Sequence, residues 1–156
     1  MAIFRPAHAD DAPELTQAAI ASFHYDSVLY PEVEIGGPPG YDSVDVMLRN
    51  IEEQACFAIV EDDQIVGGMV INVMGAGHYH LDLIFLAPEY QNRGLGTQAL
   101  QFLESTFLAT KWTLDTPIWA VRNRHFYEKH GYVNVGQFYV EADNITLISY
   151  EKTLST

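Results

Sequence analysis

The chain is predicted to be an α/β protein with a mixed, mostly antiparallel central sheet flanked by helices. Two observations predict this fold. Several short apolar segments follow one another across tight turns, which is typical of an antiparallel meander. A glycine-containing turn then leads into an amphipathic segment, which indicates a helix. With 156 residues, of which 48% are hydrophobic, the chain is expected to form one globular domain over residues 1–156.

The N-terminal half predicts one strand, two helices and the meander. The expected elements are a strand at 3–7, helices at 12–23 and 44–51, and meander strands at 56–60, 65–73 and 78–86. A loop is expected from Tyr25 to Tyr41, because this stretch contains Pro31 and the run 36–40, Gly-Gly-Pro-Pro-Gly. Loops of this length are often functional.

The C-terminal half predicts two helices, a strand and a hairpin. The first helix should run from Leu95 to Phe107, and a strand is predicted at residues 117–121. Because a helix precedes that strand, its pairing with the strand at 78–86 should be parallel. A short helix is expected over 124–130, ending at Gly131. The closing hairpin is predicted at 132–140 and 145–152.

The charge of the chain limits its partners. The net charge of -13 argues against nucleic acid, which requires a basic face. It favours a cationic substrate such as an amine, although solubility explains it equally well. The sequence has no apolar run long enough to span a membrane and no signal peptide, so a cytoplasmic location without membrane contact is expected. The single cysteine, Cys56, excludes an intramolecular disulfide.

The turn at residues 91–97, Gln-Asn-Arg-Gly-Leu-Gly-Thr, is the candidate ligand site. Gly94 and Gly96 lack a Cβ, so a ligand can approach their backbone closely. The first turn of a helix has unpaired N–H groups, and the helix dipole favours an anion there. Arg93 adds a positive charge. The turn is therefore predicted to hold a phosphate or pyrophosphate, although it is neither a Walker loop nor a dinucleotide fingerprint.

The same turn matches the signature Gln/Arg-x-x-Gly-x-Gly/Ala. On this signature and the order of its elements, the chain resembles the GCN5-related N-acetyltransferases (GNAT family), which bind acetyl-coenzyme A at that loop. The resemblance covers nearly the whole chain and implies an opening between the strands at 78–86 and 117–121. The cofactor-binding residues that it implies are Ile84, Phe85, Leu86, Gln91, Asn92, Arg93, Gly94, Leu95, Gly96, Thr97, Asn123 and Tyr127.

The strand at 78–86 carries a second candidate site. Its alternation places His78, His80 and Asp82 on one face. This set suits a metal, and it is similar to the His-x-His-x-Asp motif of the metallo-β-lactamase fold. That motif continues with histidine, whereas Leu83 follows here. In the acetyltransferase interpretation, Asp82 or His80 is the base that accepts a proton from the amine. The alternative that these are ordinary exposed residues of a strand also remains open.

The segment from Asn123 to Tyr132 is the second match to the family. Family members often carry an asparagine, an aromatic-tyrosine pair and a glycine followed by an aromatic residue. In the family, the tyrosine of the pair lies near the coenzyme A sulfur and can protonate the leaving thiolate, and the resemblance implies this role for Tyr127. Asn123 lies closer to Tyr127 than is common in the family, by about one helical turn.

The resemblance implies an N-acetyltransferase that moves an acetyl group from acetyl-coenzyme A to a primary amine within a ternary complex. Acetyl-coenzyme A is the donor substrate, and no metal is expected. The alternatives are a non-catalytic acyl-coenzyme A sensor of the same fold and a metal-dependent hydrolase. The acceptor, a small molecule or peptide, stays open, as does a homodimer. The candidates for the acceptor side are His24, Tyr25, Tyr30 and Tyr41.

Overall fold

A central sheet of seven strands organises the computed structural model, which describes residues 2–154. The strands are β1 (Ile3–Pro6), β2 (Ala55–Glu61), β3 (Gln64–Gly75), β4 (His78–Leu86), β5 (Lys111–Pro117), β6 (Val133–Val140) and β7 (Ile145–Thr153). Their order across the sheet is β1-β2-β3-β4-β5-β7-β6. Neighbours are antiparallel except β4 and β5, which are parallel. The predicted fold class is confirmed.

Five α-helices within the described residues flank this sheet. They are α1 (Ala12–His24), α2 (Asp26–Leu29), α3 (Val44–Glu53), α4 (Leu95–Thr106) and α5 (Val121–Lys129). The sheet separates two apolar clusters. One holds Leu15 of α1 together with Phe85, and the other holds Leu103 of α4, Trp112 and Tyr127. Within residues 2–154, no helix has the length and apolar character needed to cross a membrane.

The predicted strand at 117–121 is wrong. The strand is β5, in which buried Trp112, Leu114 and Thr116 alternate with polar residues. This period of two marks one buried face, but the polar half of the segment makes it look like a linker. The more apolar residues 118–120 form a turn, closed by the N–H of Ala120 donating to the carbonyl of Pro117 at 3.0 Å.

Two further boundaries differ from the predictions. Helix α5 begins at Val121, three residues before the predicted start, because the turn after β5 leads directly into it. The stretch from Tyr25 to Tyr41, predicted as a loop, contains the short helix α2. The remaining helices and strands lie where the sequence predicts them, within a few residues at each end.

Strands β4 and β5 pair over three residues only and then separate. The pairs are His78 with Lys111, Tyr79 with Trp112 and His80 with Thr113. Strand β5 stays paired with β7 along its whole length. In β4, a bulge follows: Leu81 pairs with Ile71 and Leu83 with Val70, which leaves Asp82 as the extra residue. The opening that the resemblance implies is present, but its second edge is β5.

We predict that Cys56 is unreactive in the folded protein. Its side chain is buried, and burial raises the pKa of its thiol to about 12, so the nucleophilic thiolate is scarce. A thiol reagent at pH 8 should label the native chain far more slowly than the chain unfolded in guanidinium. Equal labelling rates in the two states would contradict the burial.

Candidate functional site

The glycine turn presents unpaired backbone donors at the start of α4. Asn92 and Gly94 both have left-handed backbone conformations, with φ of 61° and 80°. The first backbone bond of the helix runs from the N–H of Gln98 to the carbonyl of Gly94 at 3.1 Å. This leaves three N–H groups without a helical acceptor, those of Leu95, Gly96 and Thr97. Such a concave set of donors suits an anion.

Gly94 and Gly96 are each required in the turn for a different structural reason. Gly94 requires its left-handed φ, and a Cβ built there meets nothing within 4 Å. A Cβ at Gly96 would instead lie 3.1 Å from Cζ of Phe126 on α5. Gly94 therefore leaves open space above the turn, whereas Gly96 permits the close packing of α4 against α5.

The side chains of the turn mostly contact the protein itself. Gln91 donates from Nε2 to the carbonyl of Leu86 at 2.9 Å. Thr97 Oγ1 lies 3.0 Å from Nε2 of His130, and Leu95 is buried. The guanidinium of Arg93 lies 5.2 Å from the centre of the Tyr90 ring. These contacts hold the end of β4, the start of α4 and the end of α5 around the turn.

A second arginine reaches the turn from α5. Arg122 donates from Nη2 to Oδ1 of Asn92 at 2.8 Å, and its backbone N–H donates to the hydroxyl of Tyr30 at 3.0 Å. The Tyr30 ring packs edge-on against Trp119, with 5.4 Å between ring centres. Arg122 also attracts the carboxylate of Asp26. The end of α2, the glycine turn and the start of α5 thus meet at one residue.

The polar face of β4 meets polar side chains of β5. Oγ1 of Thr113 lies 2.7 Å from Nδ1 of His80 and 2.9 Å from Nε2 of His78. Nε2 of His80 lies 3.7 Å from carboxylate oxygens of both Asp82 and Asp115. The predicted face is therefore present, with Thr113 and Asp115 as additional members. Both imidazoles are turned towards one hydroxyl. Among the described residues, no three or more His, Cys, Asp or Glu side chains are arranged so that they could hold a metal ion.

A cleft of about 200 Å³ adjoins Asp82. Its walls come from the Pro/Gly-rich segment, from α3 and from the bulged part of β4, and Asp82 is the charged residue among those that line it. Tyr41 lies in the wall, and its hydroxyl lies 2.6 Å from Nε2 of His24. Burial raises the pKa of Asp82, the charge of Asp115 raises it further, and His80 partly offsets both. The carboxylate is therefore more basic than an exposed one.

Tyr127 lies on the opposite side of the sheet from Asp82, in the cluster under α4. Its ring centre lies 5.7 Å from that of Tyr132 and 6.2 Å from that of Tyr150. Burial raises the pKa of its phenol above the ordinary value. Asn123, four residues earlier on the same helix, is exposed.

The backbone of β4 beyond the bulge is paired with β3 on one edge only. Ile84 and Phe85 pair with Met69 and Gly68 of β3. The N–H of Leu86 donates to Oγ of Ser22 at 3.3 Å. The opposite edge, which lost β5, therefore borders the opening and carries backbone polar groups.

Sequence reasoning missed several residues of this region. They are Ser22, Asp26, Thr113 and Asp115. The hydrogen bond between Arg122 and Asn92 was also missed. The sequence pattern could have identified Thr113 and Asp115, since they occupy alternate positions of β5. They were missed because the strand was predicted at 117–121. Ser22 and Asp26 come from distant parts of the chain, and no local pattern marks them.

The acetyltransferase (GNAT) family model matches residues 22–132. This stretch contains β4, the glycine turn and α5 with Tyr127. The chain belongs to this family. It is 29% identical over 118 residues to S-(2-succino)cysteine N-acetyltransferase of Bacillus subtilis (strain 168), covering 67% of this chain and 70% of that protein.

Two further proteins are similar to this GNAT chain. YrkN of Bacillus subtilis (strain 168) is 32% identical over 87 residues, which is 54% of this chain and 47% of YrkN, so the match spans about half of that relative's length. The crystal structure of PaiA N-acetyltransferase from Thermoplasma acidophilum in complex with coenzyme A has a TM-score of 0.77 at 15% identity. The two chains are each covered to 99%, and the likeness shows a common fold.

We predict that Gly94→Ala destabilises the protein because a Cβ at a left-handed φ is strained. The expected loss in the free energy of unfolding is about 1 kcal/mol, measured by urea denaturation. Gly75→Ala is the matched control, since Gly75 has open space around a Cβ and no left-handed φ. Equal stability of the two variants would contradict the role of the φ angle.

We predict that Asp26 lowers the free energy of unfolding as the pH rises from about 4 to about 6. Burial raises the pKa of this carboxyl from 3.8 to about 6, so the folded chain holds a proton that the unfolded chain releases in this window. Asp26→Asn should raise the free energy of unfolding by about 1 kcal/mol at pH 7, because the carboxyl remains partly hydrated. At pH 4 the gain should vanish, and a gain independent of pH would contradict the assignment.

Proposed function

We propose that the protein transfers the acetyl group of acetyl-coenzyme A to a primary amine of a small molecule or peptide, directly within a ternary complex. The opening between β4 and β5 carries this proposal. It begins beside His80 and Asp82, follows the unpaired edge of β4 and ends at the glycine turn. Membership of the acetyltransferase family supports the reaction class.

The donor is proposed to lie along β4 with its phosphates on the glycine turn. Coenzyme A in the structure of PaiA supports a coenzyme A ligand for this fold. The unpaired N–H groups at the start of α4 suit the pyrophosphate. The backbone of β4 offers partners to the pantetheine amides. The proposed contacts are Ile84, Phe85, Leu86, Gln91, Asn92, Arg93, Gly94, Leu95, Gly96, Thr97, Asn123 and Tyr127.

The acceptor is proposed to enter the cleft beside Asp82. An alkyl ammonium has a pKa near 10 and must lose a proton before its nitrogen can attack. Asp82 or His80 accepts that proton, and the raised pKa of Asp82 makes its carboxylate a stronger base than an exposed one. The apolar walls of the cleft, which include Met47 and Tyr41, suit the carbon skeleton of the amine.

Tyr127 is proposed to protonate the thiolate that leaves when the carbon–sulfur bond breaks. Its buried phenol keeps its proton at neutral pH, because burial raises its pKa. A phenol held in this way is an acid that acts only when a strong base forms beside it. An alkyl ammonium loses two protons on becoming an amide. Asp82 or His80 accepts the first before the attack and later releases it to solvent. The second leaves the nitrogen once the carbon–nitrogen bond has formed, and it replaces the proton that Tyr127 gives to the thiolate.

A thiol-release assay with acetyl-coenzyme A and a panel of amines tests the proposal. We expect at least one amine to release thiol in proportion to acetylated product. Tyr127→Phe should lower kcat on the order of 100-fold while the affinity for coenzyme A, measured by calorimetry, changes little. Tyr139→Phe is the matched control, because Tyr139 is an exposed tyrosine of β6.

Two results would contradict the proposal. Tight binding of coenzyme A without thiol release for any amine would favour the non-catalytic acyl-coenzyme A sensor. An unchanged kcat for Tyr127→Phe in an active enzyme would remove the phenol from the mechanism.

A further inference from the structure

We propose that Arg122 is the cation that holds the pyrophosphate of the donor at the glycine turn. This inference rests on the proposed function, which supplies the ligand. It assigns the main charge to a residue of α5, outside the turn, rather than to Arg93 within it. The contacts of the two arginines carry the argument.

Arg93 is turned towards the preceding segment. Its guanidinium lies 5.2 Å from the centre of the Tyr90 ring, a distance at which a cation–π attraction holds it there. Moving Arg93 onto an anion at the start of α4 would give up this contact.

Arg122 already lies at the turn. Its Nη2 donates to Oδ1 of Asn92 at 2.8 Å, and Asn92 is one of the two left-handed residues that shape the concave set of N–H groups. A guanidinium has five N–H donors, so this single bond leaves donors for an anion. A planar fork of such donors matches the geometry of a phosphate.

The charge of Arg122 is also not neutralised by an ion pair with a carboxylate. Among residues 2–154, Arg5 pairs with Asp11 and Lys152 with Glu104, whereas no carboxylate forms such a pair with Arg122. Asp26 attracts the guanidinium from a greater distance. In a chain with a net charge of -13, an unpaired arginine beside unpaired N–H groups is a local reserve of positive potential.

The backbone of Arg122 is fixed independently of its side chain. Its N–H, one of the first-turn donors of α5, is bonded to the hydroxyl of Tyr30 at 3.0 Å, and Tyr30 packs on Trp119. Truncation of the guanidinium therefore leaves this anchor intact. Arg122→Gln thus removes the charge and the bond to Asn92 while the backbone of α5 stays held, and the salt dependence of binding reports the contribution of the charge.

Calorimetry with coenzyme A, dephospho-coenzyme A and pantetheine tests the inference. We expect Arg122→Gln to weaken binding of coenzyme A about tenfold, and Arg93→Gln to weaken it less. The loss should be the same for dephospho-coenzyme A, which keeps the pyrophosphate, and absent for pantetheine, which has no phosphate. Binding by Arg122→Gln should depend less on salt, and Arg122→Lys should restore part of the affinity.

Arg49→Gln is the control for loss of one positive charge, since Arg49 is exposed on α3. This variant should bind coenzyme A as tightly as the parent chain does. An equal loss for pantetheine would show a general disturbance of the donor site. An unchanged salt dependence would show that Arg122 acts by holding the turn in shape through Asn92, and a loss confined to coenzyme A would assign it to the 3′-phosphate. Each of these results overturns the inference, as does a larger loss for Arg93→Gln. A parent chain that binds no coenzyme A refutes the proposed function itself.

Discussion

The loss of pairing between β4 and β5 is the constraint on which the site depends. The two strands share three pairs and part beyond His80 and Thr113, although β5 keeps its full set of bonds to β7. Separation therefore costs β5 only one of its two edges. Backbone polar groups on the freed edge of β4 still need partners. Ser22 supplies one for Leu86, so an extended ligand with amides has the remainder to bind.

The same opening connects the two faces of the sheet. Leu81 packs in the cluster that contains Tyr127, which places its neighbours His80 and Asp82 on the other face. A proton acceptor and a proton donor on opposite faces can serve one reacting group only where the sheet is open. In the proposed reaction, the amine and the thiol would thus approach the carbonyl carbon from the two sides of this opening.

Local pattern was sufficient for most of the fold and insufficient where contacts are long-range. The glycine turn was predictable, because a left-handed residue before a helix needs Gly94 and the signature is contiguous. The strand β5 was not, because half of its residues are polar and the apolar run 118–121 beside it looks more like a strand. That run owes its apolar character to other contacts, such as Trp119 against Tyr30. The link between Arg122 and Asn92 joins residues 30 apart in sequence.

The bulge at Asp82 shows why alternation alone cannot orient a functional strand. Before it, Tyr79 and Leu81 pack under α4. Continued alternation would put Leu83 there too, yet Leu83 and Phe85 pack in the cluster around α1. One extra residue reverses the facing of all that follow. The reversal brings Asp82 and Leu83 together into the wall of the cleft, so the irregularity of β4 both ends its pairing with β5 and builds the place where an acceptor can bind.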